Sequence, residues 1–209
     1  MLHEETVEPA TLELLIDLLS IPELNNFALV GGTNLALRYG HRLSEDLNLF
    51  TNENFDLEEI VQVVTEKFPS IKIRVKKGQT FMSIINGIKI DIILHKYPYL
   101  EEVEIIDGIR MLSISDIIPM KLGALASRGV KKDFADIAYL LDFYSIEQML
   151  GFYKSKYKND DIGFIVHSLF YFNDAENSKE PVFLIPSTWE KIMKKIVTAT
   201  NNYIDNMSQ

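Results

Sequence analysis

Apolar residues at Leu12, Leu14, Leu15, Leu18 and Leu19 follow Pro9 at helical spacing, and proline suits a first helical turn, so the chain is predicted to open with a helix over 9–20. Phe27-Ala28-Leu29-Val30 is a short continuous apolar run ended by Gly31-Gly32, which predicts a buried strand and a tight turn. A short helix over 33–39 stops at Gly40. Residues 46–51 alternate polar and apolar as a strand does, and 57–68 carry an amphipathic helical period. Three strand candidates follow, at 71–75, 81–85 and 88–94. Asn86-Gly87 between the last two is a strong hairpin signal. Asp107-Gly108 marks another tight turn, between 103–106 and 109–112.

Beyond Leu112 the period becomes helical. Helices are expected over 115–127, 132–143, 146–157, 162–171 and 187–204, with a polar loop at 173–179. The pattern predicts an α/β (α+β) protein of two lobes. Residues 1–112 would carry a mixed sheet and 113–209 would be helical.

Within this frame, the Gly31-Gly32-Thr33 turn leads from a strand into a helix. Glycines there permit positive φ and close backbone approach, and a helix N-terminus offers unpaired amides. The turn is read either as a phosphate cradle, with the Thr33 hydroxyl as an extra donor, or as a plain tight turn. Asp46 and Asn48 are two residues apart and project from one strand face, with Leu47 and Leu49 on the other. Asp91 lies inside the apolar run Ile88–Leu94, where a carboxylate is costly unless paired or metal-bound. Three oxygen-bearing side chains beside a phosphate cradle would suit Mg²⁺. The competing readings are a solvated strand face for Asp46 and Asn48, and pairing with Lys89 or Arg74 for Asp91.

On the helix at 115–127, Ile117, Ala124 and Leu125 form an apolar stripe, and Lys121 and Arg128 fall in its middle. Inward cations need anionic partners. These would be a triphosphate, or an internal salt bridge such as Arg128 with Asp133 or Asp136. Asp133 and Asp136 share a helix face, and Asp133 complements the helix dipole. Arg42 is positioned to reach a phosphate bidentately, and Ser44 either donates to one or caps its loop.

Composition narrows the classes. The chain has 209 residues, 47% hydrophobic, with net charge −9, so nucleic acid would have to be met by a local basic patch. Lys72, Arg74, Lys76 and Lys77 form a candidate, read equally as lysines guarding an edge strand. Lys154, Lys156 and Lys158 are expected on a solvated face. The chain has no cysteine, which excludes disulfide and thiolate chemistry. The four histidines are isolated in sequence and suggest no zinc site, and no nucleophile motif supports Ser/His/Asp hydrolysis. No apolar run reaches the ~20 residues of a membrane span, and a cytoplasmic, membrane-free protein is expected.

The segment Gly31–Phe50 resembles the first motif of the AbiEii/AbiGii-type nucleotidyltransferase toxins, within the polymerase-beta-like superfamily. Lys89-Ile90-Asp91 resembles the second motif, Lys121–Arg128 the third and Lys132–Asp136 the fourth. Together they span about residues 27–142. The resemblance implies a polymerase-beta-like lobe, Mg²⁺ or Mn²⁺, an NTP substrate, an acceptor such as tRNA, and a cognate antitoxin. It places Asp46, Asp91 and Lys121 in catalysis, and Asp46, Asn48 and Asp91 at the metal. It places Gly31, Gly32, Thr33, Arg42, Ser44, Lys89, Lys121, Arg128, Asp133 and Asp136 around the nucleotide. Lys121 on the helical lobe would close over that nucleotide. The family's first motif ends in two aspartates, where this chain has Asp46 and Asn48. That substitution raises the alternative of a silent NTP-binding or partner-binding module.

Overall fold

Pro9 fills the first turn of α1 (Pro9–Leu19) in the computed structural model of this chain, which describes residues 1–207. The structure divides into two units, Met1–Leu112 and the remainder from Ser113 onward. In the first unit, β1 (Ala28–Val30) runs straight into α2 (Gly31–Tyr39), which begins at the glycine pair two residues earlier than predicted. Gly40 ends α2 in the left-handed region. Then come β2 (Leu47–Thr51), α3 (Leu57–Lys67), β3 (Lys72–Lys77), β4 (Thr80–Ile85), β5 (Ile88–Leu94), β6 (Glu104–Ile106) and β7 (Ile109–Met111). Asp56 caps α3 by accepting from the amides of Glu58 and Glu59.

These strands form one seven-stranded mixed sheet in the order β3-β4-β5-β2-β1-β7-β6. β2 runs parallel to β5 and β1 parallel to β7; the remaining pairs are antiparallel. Burial alternates along β2, β4 and β5. Leu47, Leu49, Phe81, Ile85, Ile90 and Ile92 pack into a core with Leu14, Leu15 and Leu18 of α1 and Ile60 and Val64 of α3. Each such side chain contributes roughly 1.5–3 kcal/mol on full burial. The opposite face of the same strands carries Asn48, Phe50, Met82 and Asp91, all half-buried. Arg110 on β7 ties the sheet to the segment after α1. Its guanidinium donates to the carbonyls of Leu19 (3.1 Å), Leu24 (2.9 Å) and Phe27 (3.0 Å), and partial desolvation lowers its pKa from the usual arginine value.

The second unit contains α4 (Ile114–Arg128), α5 (Lys131–Leu140), α6 (Ile146–Tyr157), α7 (Gly163–Ser168) and α8 (Trp189–Met207). Ser113 caps α4, and a reciprocal Ser145–Gln148 capping box starts α6. Phe134, Phe172 and Trp189 cluster, with ring centroids 4.8 to 5.8 Å apart. α7 stops at Ser168, short of the expected Tyr171, and a single 3-10 turn at Asn173–Ala175 interrupts the segment read as loop. Among the described residues no helix is long and apolar enough to cross a membrane.

Candidate active site

Gly31 adopts φ +76°, a region that favours glycine, at the junction where β1 becomes α2. A Cβ placed there would lie 3.1 Å from Nδ2 of Asn48, so the Asn48 side chain sits directly against the turn. Gly32 has a different reason to be glycine. The Arg42 guanidinium rests on it so closely that any side chain at position 32 would displace that group, and Ser44 Oγ lies just beyond. Arg42 is buried, and its Nη1 donates to the Leu43 carbonyl at 2.8 Å. The turn therefore presents its backbone beneath a fixed guanidinium.

The Thr33 hydroxyl has a definite task in this arrangement. It is 1% exposed and donates to the backbone carbonyl of Asp46, so the Ser44 hydroxyl, 2.8 Å away, is the donor to Thr33. Ser44 is further anchored by its amide, which donates to the Thr6 carbonyl at 2.8 Å. Of the two readings of Ser44, holding its loop is the one these contacts describe. Thr33 and Ser44 fix the approach of the chain to Asp46. Asp46 itself precedes β2 by one residue, where the alternation had predicted it inside the strand.

Register completes the picture. Asn48 is paired with Val30 on β1 and with Asp91 on β5, and Asp91 is paired with Met82 on β4. Adjacent strands lie about 4.8 Å apart, so Asn48 and Asp91 stand side by side. Among the described residues neither Lys89 nor Arg74 forms an ion pair, so neither neutralises Asp91. Lys89 shares the Asp91 face one pair further along and is exposed.

The donor set defines what cation could be held. Among the described residues no group of three or more His, Cys, Asp or Glu side chains is placed to bind a metal. The candidate set is two carboxylates: Asp91, registered beside the Asn48 amide on the sheet, and Asp46, one residue before β2. Mg²⁺ is commonly held by one or two carboxylates with the rest of its shell from water and substrate phosphates. These residues fit one such ion completed by a triphosphate. They lack the third carboxylate that a two-ion site would use.

The cations of α4 are held within their own unit. Lys121 is 5% exposed, and its Nζ lies 2.5 Å from Asp136 Oδ2 and 3.4 Å from Asp133 Oδ1. Arg128 grips Asp133 through two bonds, Nε to Oδ2 at 2.8 Å and Nη2 to Oδ1 at 3.0 Å. The internal salt bridge foreseen for Arg128 thus extends to Lys121, and two fully buried carboxylates are satisfied together. Lys156 departs from expectation outright. It is fully buried, not on a solvated face, and its Nζ bonds Asp116 Oδ1 at 2.6 Å. Asp116 also accepts from Ser113 Oγ at 2.9 Å. Lys156 falls on the same α6 stripe as Ile146, Met149 and Leu150, the signal that alternation of Lys154, Lys156 and Lys158 had masked.

Comparison with known proteins agrees with this layout. The sequence profile of the AbiEii family, described as a nucleotidyl transferase toxin of type IV toxin–antitoxin systems, matches residues 13–207. An uncharacterized protein of Aquifex aeolicus is 34% identical over 204 residues, covering 93% of this chain and 96% of that protein. Two solved structures share the fold at low identity. MenT4, a nucleotidyltransferase toxin of Mycobacterium tuberculosis, superposes with a TM-score of 0.59 at 14% identity, covering 92% of this chain and 82% of its own. A Helicobacter pylori protein assigned as a nucleotidyltransferase gives 0.58 at 19% identity, covering 98% and 97%. On the extent of the profile match and the identity to the Aquifex protein, this chain belongs to the AbiEii nucleotidyltransferase toxin family.

Proposed function

We propose that this protein moves a nucleotidyl group from an NTP to the hydroxyl of an RNA acceptor, as the toxin half of a toxin–antitoxin pair. The observation that carries this reading is the row of buried Val30 and half-buried Asn48 and Asp91, in register across three strands, with the Gly31 turn against its Asn48 member. Backbone amides at the start of α2 and the Arg42 guanidinium offer donors to phosphate oxygens. Asp46 and Asp91 would hold a divalent cation, with the Asn48 carbonyl oxygen available as a neutral third donor. When bound, such an ion offsets triphosphate charge and orients the α-phosphate. The acceptor oxygen attacks the α-phosphorus in line and pyrophosphate leaves. Asp91 takes the acceptor's proton. Lys89 faces the same side and would approach the nucleotide's phosphates.

The test is incubation with labelled NTPs, Mg²⁺ or Mn²⁺ and total RNA, followed by a search for label in RNA. Transfer is expected with the wild type and is lost in Asp46→Ala and Asp91→Ala. Full activity in both variants would refute the site. One observation favours a second reading, a module that binds NTP without transferring it: the residue registered beside Asp91 is the neutral Asn48, not a carboxylate. That reading predicts NTP binding without transfer in the wild type, and transfer appearing in Asn48→Asp.

A further inference from the structure

From Lys67 to Ile90 the chain has six lysine or arginine residues and no aspartate or glutamate. Removing these six charges from a net −9 leaves −15 for the rest, so positive charge is concentrated in the β3–β4–β5 ribbon. Two of the six are neutralised: Lys67 by Asp17 at 3.6 Å, and Lys76 by Glu58. Among the described residues, Lys72, Arg74, Lys77 and Lys89 have no carboxylate partner.

Their placement follows from the register. β3 pairs with β4 as Lys72 with Ile84 and Ile73 with Ser83. It then slips by one at Arg74 and resumes as Val75 with Met82, Lys76 with Phe81 and Lys77 with Thr80. Because paired residues share a face, the slip puts Lys72, Val75 and Lys77 on the side of Met82 and Asp91. Lys76 turns to the other side, where Glu58 of α3 receives it. Without the bulge, strict alternation would carry Lys72, Arg74 and Lys76 together and Lys77 away from them. The row Lys72–Ile84–Lys89 then crosses three strands, next to the row Val75–Met82–Asp91–Asn48.

An edge strand guarded by lysines explains charge on β3, which is exposed along all six residues. It does not explain Lys89, which is on the third strand in, nor a bulge that turns Lys77 toward the acidic row. The geometry points to this face of β3–β4–β5 as the track for the phosphodiester backbone of the RNA acceptor. Lys72 and Lys77 meet phosphates there and lead the strand toward Lys89 and Asp91 at the nucleotide. The assignment rests on the transfer reading above and adds the surface that holds the acceptor. Half-buried Ile84 and Met82 give the track an apolar floor on which unpaired bases can lie.

The probe is a fluorescent RNA hairpin with a single-stranded 3′ end, titrated by anisotropy across salt concentrations with the full chain. Lys72→Gln/Lys77→Gln is expected to weaken binding about tenfold at moderate salt. It should also make the slope of log affinity against log salt shallower by about 1.4, since each single-strand phosphate contact contributes about 0.7. Lys76→Gln, on the opposite face, should leave both unchanged, and ATP affinity should be the same in all three proteins. An unchanged slope in the double variant, or an equal loss in Lys76→Gln, overturns the track. Capture of a polyglutamate peptide in preference to the hairpin overturns it in favour of an acidic protein partner. ATP binding, measured separately, judges the nucleotide site whatever the RNA does.

Discussion

Replacing Asn48 with aspartate puts a full negative charge beside Asp91, its registered partner on the neighbouring strand. Strand spacing is about 4.8 Å, and two unit charges at that distance repel by roughly 3.5 kcal/mol at an effective dielectric of about 20. Both positions are half-buried, so solvent screening reduces the cost to about 1–2 kcal/mol. Asp46, two residues along the same chain segment at roughly 6.6 Å, adds to the repulsion. For a chain of this size the first unit of Asn48→Asp is expected to melt roughly 2–8 °C below the wild type in EDTA. Mg²⁺ reverses the sign of the effect, because three carboxylates around one cation are attracted where they otherwise repel. The assay is a pair of thermal melts, in EDTA and in millimolar Mg²⁺, monitored by circular dichroism. The variant should gain stability with Mg²⁺ while the wild type barely responds. If the variant is as stable as wild type in EDTA and Mg²⁺ moves both alike, the side-by-side placement of Asn48 and Asp91 is wrong.

Other outcomes follow from the same contacts. Lys156→Met strands Asp116 as a buried charge and should cost about 3–5 kcal/mol in urea unfolding; the double variant Asp116→Leu/Lys156→Met should recover most of it. Gly31→Ala forces a side chain into a left-handed backbone and against Asn48. Its strain should cost about 1–2 kcal/mol in stability, while calorimetry finds ATP affinity reduced at least tenfold. Arg110→Met leaves three carbonyls without their guanidinium and should destabilise the first unit by about 2–3 kcal/mol, read from the denaturant midpoint. Lys121→Met uncovers Asp136 in the interior and should destabilise the helical unit by about 3–5 kcal/mol, whereas Lys121→Arg should keep part of the pairing.

Periodicity in the sequence was enough to determine most elements and the α/β-then-helical order, because burial of one face repeats every 2 or 3.6 residues and leaves a local record. Helix α6 and strand β5 occupy the residues the pattern predicted. The glycine pair and the Asp46–Asn48 spacing were also local facts, and with the other motifs they identified the family. What the sequence left open was who meets whom. Whether Lys121 faced a ligand or a carboxylate depended on the turn between α4 and α5, which brings Asp133 and Asp136 within reach. Lys156 looked solvated because its neighbours at two-residue spacing are lysines; only the packing of α6 against α4 set it on Asp116. The adjacency of Asn48 and Asp91 needed the parallel pairing of β2 with β5, strands separated in the chain by α3 and two others. A one-residue bulge at Arg74 decided which lysines of β3 share the face of Asp91, and alternation alone had grouped them differently. Local sequence records which face each residue prefers, while pairing between distant segments decides which side chains become neighbours, and here that pairing sets Asn48 beside Asp91.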